Sequence, residues 1–132
     1  MADPLMKFRT SVPDFEGGMA SLLAAPAVPL GAADPPCTTG VYALVHEGQI
    51  KYIGEAIGSK GLRDRLLSKH LSGDDGHTLQ RVFAAEFPER LLRREHIKNY
   101  VYAKWHCVPD RATASALERL LIWAMRPEWN RK

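Results

Sequence analysis

Short apolar runs and polar breaks alternate regularly through the middle of the chain. Gly40–His46 and Gln49–Gly54 are rich in β-branched and aromatic residues, and Glu47-Gly48 between them is typical of a tight turn. These two runs predict an antiparallel hairpin. Tyr100–Val108 has the same character and predicts a third strand.

Leucines and other apolar residues recur at helical spacing between and after these strands. They predict helices over Leu62–Leu71, His77–Phe87, Pro88–Ile97 and from Asp110 or Thr113 to about Met125. The order β-β-α-α-β-α indicates an α+β domain. We expect a small three-stranded sheet, mixed or antiparallel, flanked by helices.

Most of the chain's nine prolines lie before Thr38. The four at 26, 29, 35 and 36 are incompatible with a helix interior, so we expect no long helix in this part. Residues 1–37 are therefore interpreted as a partly ordered extension, and residues 38–132 as the folded domain. Trp105, Trp123 and Trp129 are expected to be buried or half-buried.

Composition narrows the class of protein. The chain has 132 residues, 45% hydrophobic and 25% charged, which fits one globular domain without a run long enough to cross a bilayer. Cys37 and Cys107 lie too far apart for a zinc motif or a disulfide framework, which favours a cytoplasmic protein. Residues 1–39 carry a net charge of −2 and the remainder +5, which favours a polyanionic partner.

Five short motifs follow one another in the chain. They are Gly40-Val41-Tyr42, Tyr52-Ile53-Gly54, Leu62-Arg63-Asp64-Arg65-Leu66, Leu117-Glu118 and Arg126-Pro127-Glu128-Trp129-Asn130. In this order they resemble the motifs of GIY-YIG nuclease domains. The resemblance covers Thr38 to Lys132 and is strongest to the N-terminal nuclease domain of the bacterial excinuclease C subunit.

The resemblance implies a role for each motif. Tyr42 would take part in activating the attacking water, and Tyr52 would support or orient the site. Since an unperturbed phenol has a pKa near 10, Tyr42 needs positive charge nearby, which Arg65 and a metal would supply. Arg65 would bind the scissile phosphate, Glu118 would bind Mg²⁺ or Mn²⁺, and Asn130 would orient other side chains.

Several assignments stay open. Arg63 competes with Arg65 for the phosphate, and His70 competes with His77 for a place in the site. Glu118 would otherwise be an exposed helix acid paired with a neighbouring arginine. Expected nucleic-acid contacts outside the centre are Lys60, Arg63, Lys69 and Arg81.

The resemblance implies a metal-dependent DNA endonuclease that acts in repair or restriction. Duplex, branched and single-stranded DNA all remain open as substrates, and no membrane partner is expected. A binding module that lost turnover and a toxin-like effector nuclease are the alternatives. Because no DNA-binding module follows Asn130 in this sequence, we expect targeting through the domain's own surface, the extension, a homodimer or a separate partner.

Overall fold

The computed structural model describes residues 3–71 and 78–130, without the side chains of Lys69 and Leu71. The predicted α+β class is confirmed. Five α-helices and four strands are numbered in chain order in this description. They are α1 (Pro4–Ala24), β1 (Val28–Pro29), β2 (Gly40–His46), β3 (Gln49–Ala56), α2 (Gly61–Arg63), α3 (Thr78–Phe83), α4 (Arg90–Tyr100), β4 (Val101–Cys107) and α5 (Arg111–Met125), with a 3-10 turn at Leu30–Ala32 and a π-helical segment at Asp64–Leu71.

The sheet has the order β1-β4-β2-β3, and every neighbouring pair is antiparallel. The described sheet therefore has four strands where the sequence predicted three. The additional strand, β1, has two residues and pairs Val28 with Ala103. The three predicted strands are present within two residues of their expected bounds.

The hairpin between β2 and β3 turns at the predicted pair. Glu47 has φ 54° and Gly48 has φ 77°, so both residues adopt the left-handed conformation of a type I′ turn. In the resulting register, Tyr42 lies opposite Gly54 and Leu44 lies opposite Tyr52. Because strand side chains alternate between faces, the two tyrosines lie on the same face of the sheet.

Strand β2 is buried on both faces of the sheet. Tyr42 and Leu44 belong to a cluster formed with the π-helical segment, α3 and α4. Val41 and Ala43 belong to a second cluster formed with α1 and α5. This two-sided burial explains why β2 is almost continuously apolar.

The expectation that the N-terminal part lacks a long helix is wrong, because α1 has 21 residues. Pro4 lies at the start of α1, where proline is tolerated, and Pro13 lies on its exposed side. The prolines at 26, 29, 35 and 36 all follow its last residue. Leu22 near its C-terminal end is fully buried in the second cluster.

Helix α5 begins and ends as its sequence indicates. Of the two predicted caps, Asp110 is the N-cap, and its carboxylate accepts hydrogen bonds from the Thr113 amide at 2.9 Å and the Thr113 hydroxyl at 2.6 Å. Arg126 follows the helix in the left-handed conformation, immediately before Pro127.

No helix in the described parts of the chain is both long enough and apolar enough to cross a membrane.

Candidate active site

The two tyrosines of the hairpin form one side of the candidate site. The ring centroids of Tyr42 and Tyr52 are 6.2 Å apart. The Tyr42 ring lies across Gly54 of the neighbouring strand, where a Cβ atom would overlap the ring and its hydroxyl. Glycine is required at this position so that the ring can lie against the backbone.

A π-helical segment faces these tyrosines. In a π-helix residue i bonds residue i+5, so Arg65 and His70 lie on the same side of it. In a regular α-helix the same two residues would point about 140° apart. The predicted α-helix over this stretch is thus replaced after Arg63 by a winding that directs both side chains toward the sheet.

His70 contacts both tyrosines. Its Nε2 atom lies 2.6 Å from the Tyr42 hydroxyl, and its ring meets the Tyr42 and Tyr52 rings edge-on at 5.4 Å. His70 and Tyr42 are both buried, with 2% and 0% of their surfaces exposed. Of the two candidate histidines, His70 is therefore near the tyrosines, and His77 lies outside the described residues.

The two candidate arginines differ clearly in their surroundings. Arg65 is partly buried, and its Nε atom has no hydrogen-bond acceptor among the described residues. Burial lowers the pKa of Arg65, but the hydroxyls of Tyr42 and Tyr52 more than offset this and raise it overall. Arg63 instead forms an ion pair with Asp34 and contacts the backbone of the N-terminal extension.

Tyr42 is not an acidic phenol in this environment. Burial raises its pKa above the ordinary value, and the neighbouring Tyr52 adds to the effect. Arg65 lowers the pKa, as expected from the sequence, but does not outweigh the burial. Tyr42 is therefore protonated at neutral pH, hydrogen-bonded to His70, and unexposed to solvent.

Glu118 lies on α5 as a half-buried carboxylate. Burial raises its pKa to about 7, and the negative charge of Glu55 adds to this. Arg119 and Arg65 act in the opposite direction, so Glu118 and Arg65 lie within electrostatic reach. The alternative interpretation required an exposed acid that is paired with a neighbouring arginine. Within the described residues Glu118 forms no ion pair.

Glu118 and Glu55 are carboxylates, the ligand type that a hard cation prefers. The described residues contain no group of three or more His, Cys, Asp or Glu side chains that could hold a metal ion. Mg²⁺ is commonly bound by one or two carboxylates, with water and substrate phosphate filling its remaining positions. Glu118, with Glu55 nearby, meets that requirement.

Asn130 is hydrogen-bonded to the outer edge of the sheet. Its Nδ2 donates to the Ile53 carbonyl at 2.8 Å, and its Oδ1 accepts from the Ile53 amide at 2.9 Å. The preceding Trp129 amide donates to the Lys51 carbonyl at 2.8 Å. The C-terminal segment thereby lies along the outer edge of β3 and is hydrogen-bonded to it at Lys51 and Ile53.

The expected outer contacts are spread over the surface. Lys60 is exposed beside Arg63, and Arg81 is exposed near Glu128. Lys69 lies in the π-helical segment, but its side chain is outside the described part of the structure. None of these described side chains contacts the tyrosine cluster.

Gln80 and Arg93 are buried and belong to a polar network that the sequence reasoning did not predict. Arg93 donates to the carbonyls of Phe87 and Pro88 and to Oε1 of Gln80 at 3.2 Å. Gln80 in turn donates to the backbone carbonyl of His70 at 3.4 Å. This network connects α4 through α3 to His70. The sequence feature that could have predicted this network is a glutamine and an arginine at helix positions that face the core.

Solved structures of the GIY-YIG N-terminal endonuclease domain of UvrC from Thermotoga maritima are similar to this chain. A tyrosine point mutant bound to its catalytic divalent cation shares 23% sequence identity, with a TM-score of 0.49, covering 89% of this chain and 98% of that one. The magnesium-bound form shares 24%, with a TM-score of 0.43, covering 88% and 98%.

The chain is similar in fold to a GIY-YIG nuclease domain. Neither a family model nor a curated protein matches it. The chemistry of the candidate site is argued from the side chains described above.

Proposed function

We propose that the protein is a divalent-metal-dependent endonuclease that hydrolyses DNA phosphodiester bonds. The observation that carries this proposal is the convergence of Arg65, His70, Tyr42 and Tyr52 on one face of the hairpin, with Glu118 within electrostatic reach of Arg65. These are the groups that a phosphodiester hydrolase uses to bind phosphate, move a proton and hold a cation.

Arg65 would bind the scissile phosphate. Its guanidinium carries a permanent charge and lies beside the hydroxyls of Tyr42 and Tyr52. A planar guanidinium meets two phosphate oxygens at once, which orients the phosphate as well as neutralising it. The Tyr42 and Tyr52 hydroxyls that raise the pKa of Arg65 also hold its position.

Tyr52, Tyr42 and His70 would carry the proton taken from the attacking water. Tyr52 is the partly exposed member of this cluster, whereas Tyr42 and His70 are buried behind it. The 2.6 Å contact between the Tyr42 hydroxyl and His70 Nε2 allows a proton to pass between them without forming a free phenolate. We therefore assign the contact with water to Tyr52. Each tyrosine hydroxyl would release its own proton as it accepts the next one, so that both phenols stay neutral and the proton ends on His70 Nε2.

Glu118 would hold the divalent cation, with Glu55 as the nearest further carboxylate. When bound, the cation supplies Lewis-acid stabilisation of charge on the phosphate oxygens. Arg65 favours the ionised form of Glu118 and so prepares it for this role. Asn130, which is hydrogen-bonded to both backbone groups of Ile53, would hold in place the strand that carries Tyr52.

The direct test is incubation of the purified protein with single-stranded, duplex and branched DNA. Each substrate is tested with Mg²⁺, with Mn²⁺ and with excess chelator. Cleavage that requires the cation supports the proposal. Tight binding without cleavage in any cation would instead support the module that lost turnover, and cleavage undiminished by chelator would exclude the metal mechanism.

A further inference from the structure

Trp123 has an exposure that core packing does not explain. It lies on α5, five residues after Glu118, and 72% of its surface is exposed. The sequence analysis expected this tryptophan to be buried or half-buried, and that expectation is wrong. What distinguishes Trp123 from the other exposed apolar side chains is its position in a cleft that Glu118 also lines, and aromatic residues are enriched at binding surfaces.

The indole forms one wall of a cleft of about 640 Å³. Its lining residues are Glu118, Arg119, Ile122, Trp123, Arg126, Pro127 and Asn130. Glu118 and Asn130 also belong to the candidate active site. The cleft is therefore a continuation of that site along α5 and has room for a nucleotide-sized group.

Two exposed arginines flank the indole. Arg119 lies four residues before Trp123 and Arg126 three residues after it, so all three share one side of the helix end. Arg126 is held there by its left-handed conformation at the end of α5. The cleft thus combines a flat aromatic wall with a guanidinium on each side.

This combination suits a nucleotide whose base is not paired. A base can stack on an indole while flanking arginines contact its neighbouring phosphates. In a continuous duplex both faces of each base are already stacked on neighbouring bases. The indole would then have no face to contact, so single strands, gaps and branch points are the structures that can use it.

We propose that the Trp123 cleft binds an unpaired base next to the scissile phosphate, which gives the protein a preference for single-stranded, gapped or branched DNA over continuous duplex. The inference rests on the proposed nuclease function and specifies its substrate class. Trp123 supplies the stacking surface, and Arg119 and Arg126 supply the phosphate contacts. Glu118, which lines the same cleft, would hold the cation.

Binding, not cleavage, tests this inference. The dissociation constants of a labelled single-stranded oligonucleotide and of a duplex of equal length are measured by fluorescence anisotropy in chelator, so that turnover does not interfere. Trp123→Ala should weaken single-strand binding about ten-fold, the scale of losing one base–aromatic stack, and change duplex binding little. Trp123→Phe should keep most of the affinity.

Tyr100→Ala is the matched control, because Tyr100 is an exposed aromatic residue on α4 that does not line this cleft. It should bind both oligonucleotides like the wild type. Unchanged single-strand affinity in Trp123→Ala, or equal losses on both oligonucleotides, would overturn the inference and leave the proposed function standing. Failure of the wild-type protein to bind any DNA would overturn both.

Discussion

The Tyr42 hydroxyl lies 2.6 Å from Nε2 of His70, and both side chains are buried. A histidine that faces a phenol without intervening water gives the hydroxyl a proton-transfer partner as well as a packing position. Since burial raises the pKa of Tyr42, this partner is what would make the hydroxyl useful at neutral pH. Because the two side chains touch, a substitution of either residue also changes the surroundings of the other.

Tyr42→Phe should nearly abolish cleavage and also lower stability. The substitution removes one hydroxyl and leaves His70 Nε2 buried without that contact, which should cost about 1–3 kcal/mol of unfolding free energy. Denaturant unfolding and single-turnover cleavage measure the two effects. Tyr52→Phe is the comparison, and its stability loss should be smaller because Tyr52 is partly exposed. A Tyr42→Phe protein with wild-type turnover would remove the hydroxyl from the mechanism.

Arg65→Ala should lower turnover about 10²-fold or more, the scale of losing one transition-state donor. Arg63→Ala is its control two residues away, because Arg63 is paired with Asp34 of the N-terminal extension. It should leave turnover nearly unchanged and slightly loosen the extension, which limited proteolysis would detect. Equal effects of both substitutions on turnover would show that Arg65 is not the phosphate-binding residue.

Asn130→Ala should destabilise the fold by about 1–2 kcal/mol, because it removes two hydrogen bonds from partly buried backbone groups of Ile53. It should also lower turnover, since the strand that carries Tyr52 loses its outer support. Asn99→Ala, at an exposed position near the end of α4, should change neither quantity. Thermal unfolding and cleavage rates provide the two readouts, and an unaltered melting temperature for Asn130→Ala would contradict the edge-strand role.

The raised pKa of Glu118 predicts a pH dependence of stability in the metal-free protein. Its pKa is about 7 when folded and near 4.5 when unfolded, so between these values the folded state binds more protons. The stability contribution of this group therefore falls as pH rises from about 4.5 to 7. In chelator, Glu118→Gln should unfold at a higher temperature than the wild type at pH 8 and at a similar temperature at pH 4.

Addition of Mg²⁺ at pH 8 should stabilise the wild type and not Glu118→Gln, because a cation that binds the folded state shifts its unfolding equilibrium. If chelated wild-type and Glu118→Gln proteins differ by the same amount at pH 4 and pH 8, the carboxylate does not titrate as its surroundings indicate.

Local patterns were sufficient for three of the four described strands. The hairpin, its turn and the third strand follow from apolar runs and from Glu47-Gly48, which are properties of neighbouring residues. The same local patterns also predicted that the two tyrosines lie on adjacent strands. The shared face of Tyr42 and Tyr52 depended on register, which the turn geometry set.

The remaining differences come from interactions that distant parts of the chain make. Leu62 and Leu66 have ordinary helical spacing, and nothing in it reveals the π-helical winding that brings Arg65 and His70 together. The bonds of Asn130 to Ile53 join residues 77 positions apart. Trp123 followed an apolar helical pattern but faces solvent, because α5 packs through Leu117 and Leu121 instead.

The most direct measurement of the central claim is Mg²⁺-dependent DNA cleavage by the wild type and by Glu118→Gln, side by side, on the same labelled substrate. Glutamine preserves the size of the side chain but removes the charge that binds the cation. We predict that wild-type cleavage rises with Mg²⁺ and ceases in chelator, while Glu118→Gln binds DNA but does not cut it. Equal cleavage by both proteins would contradict the account.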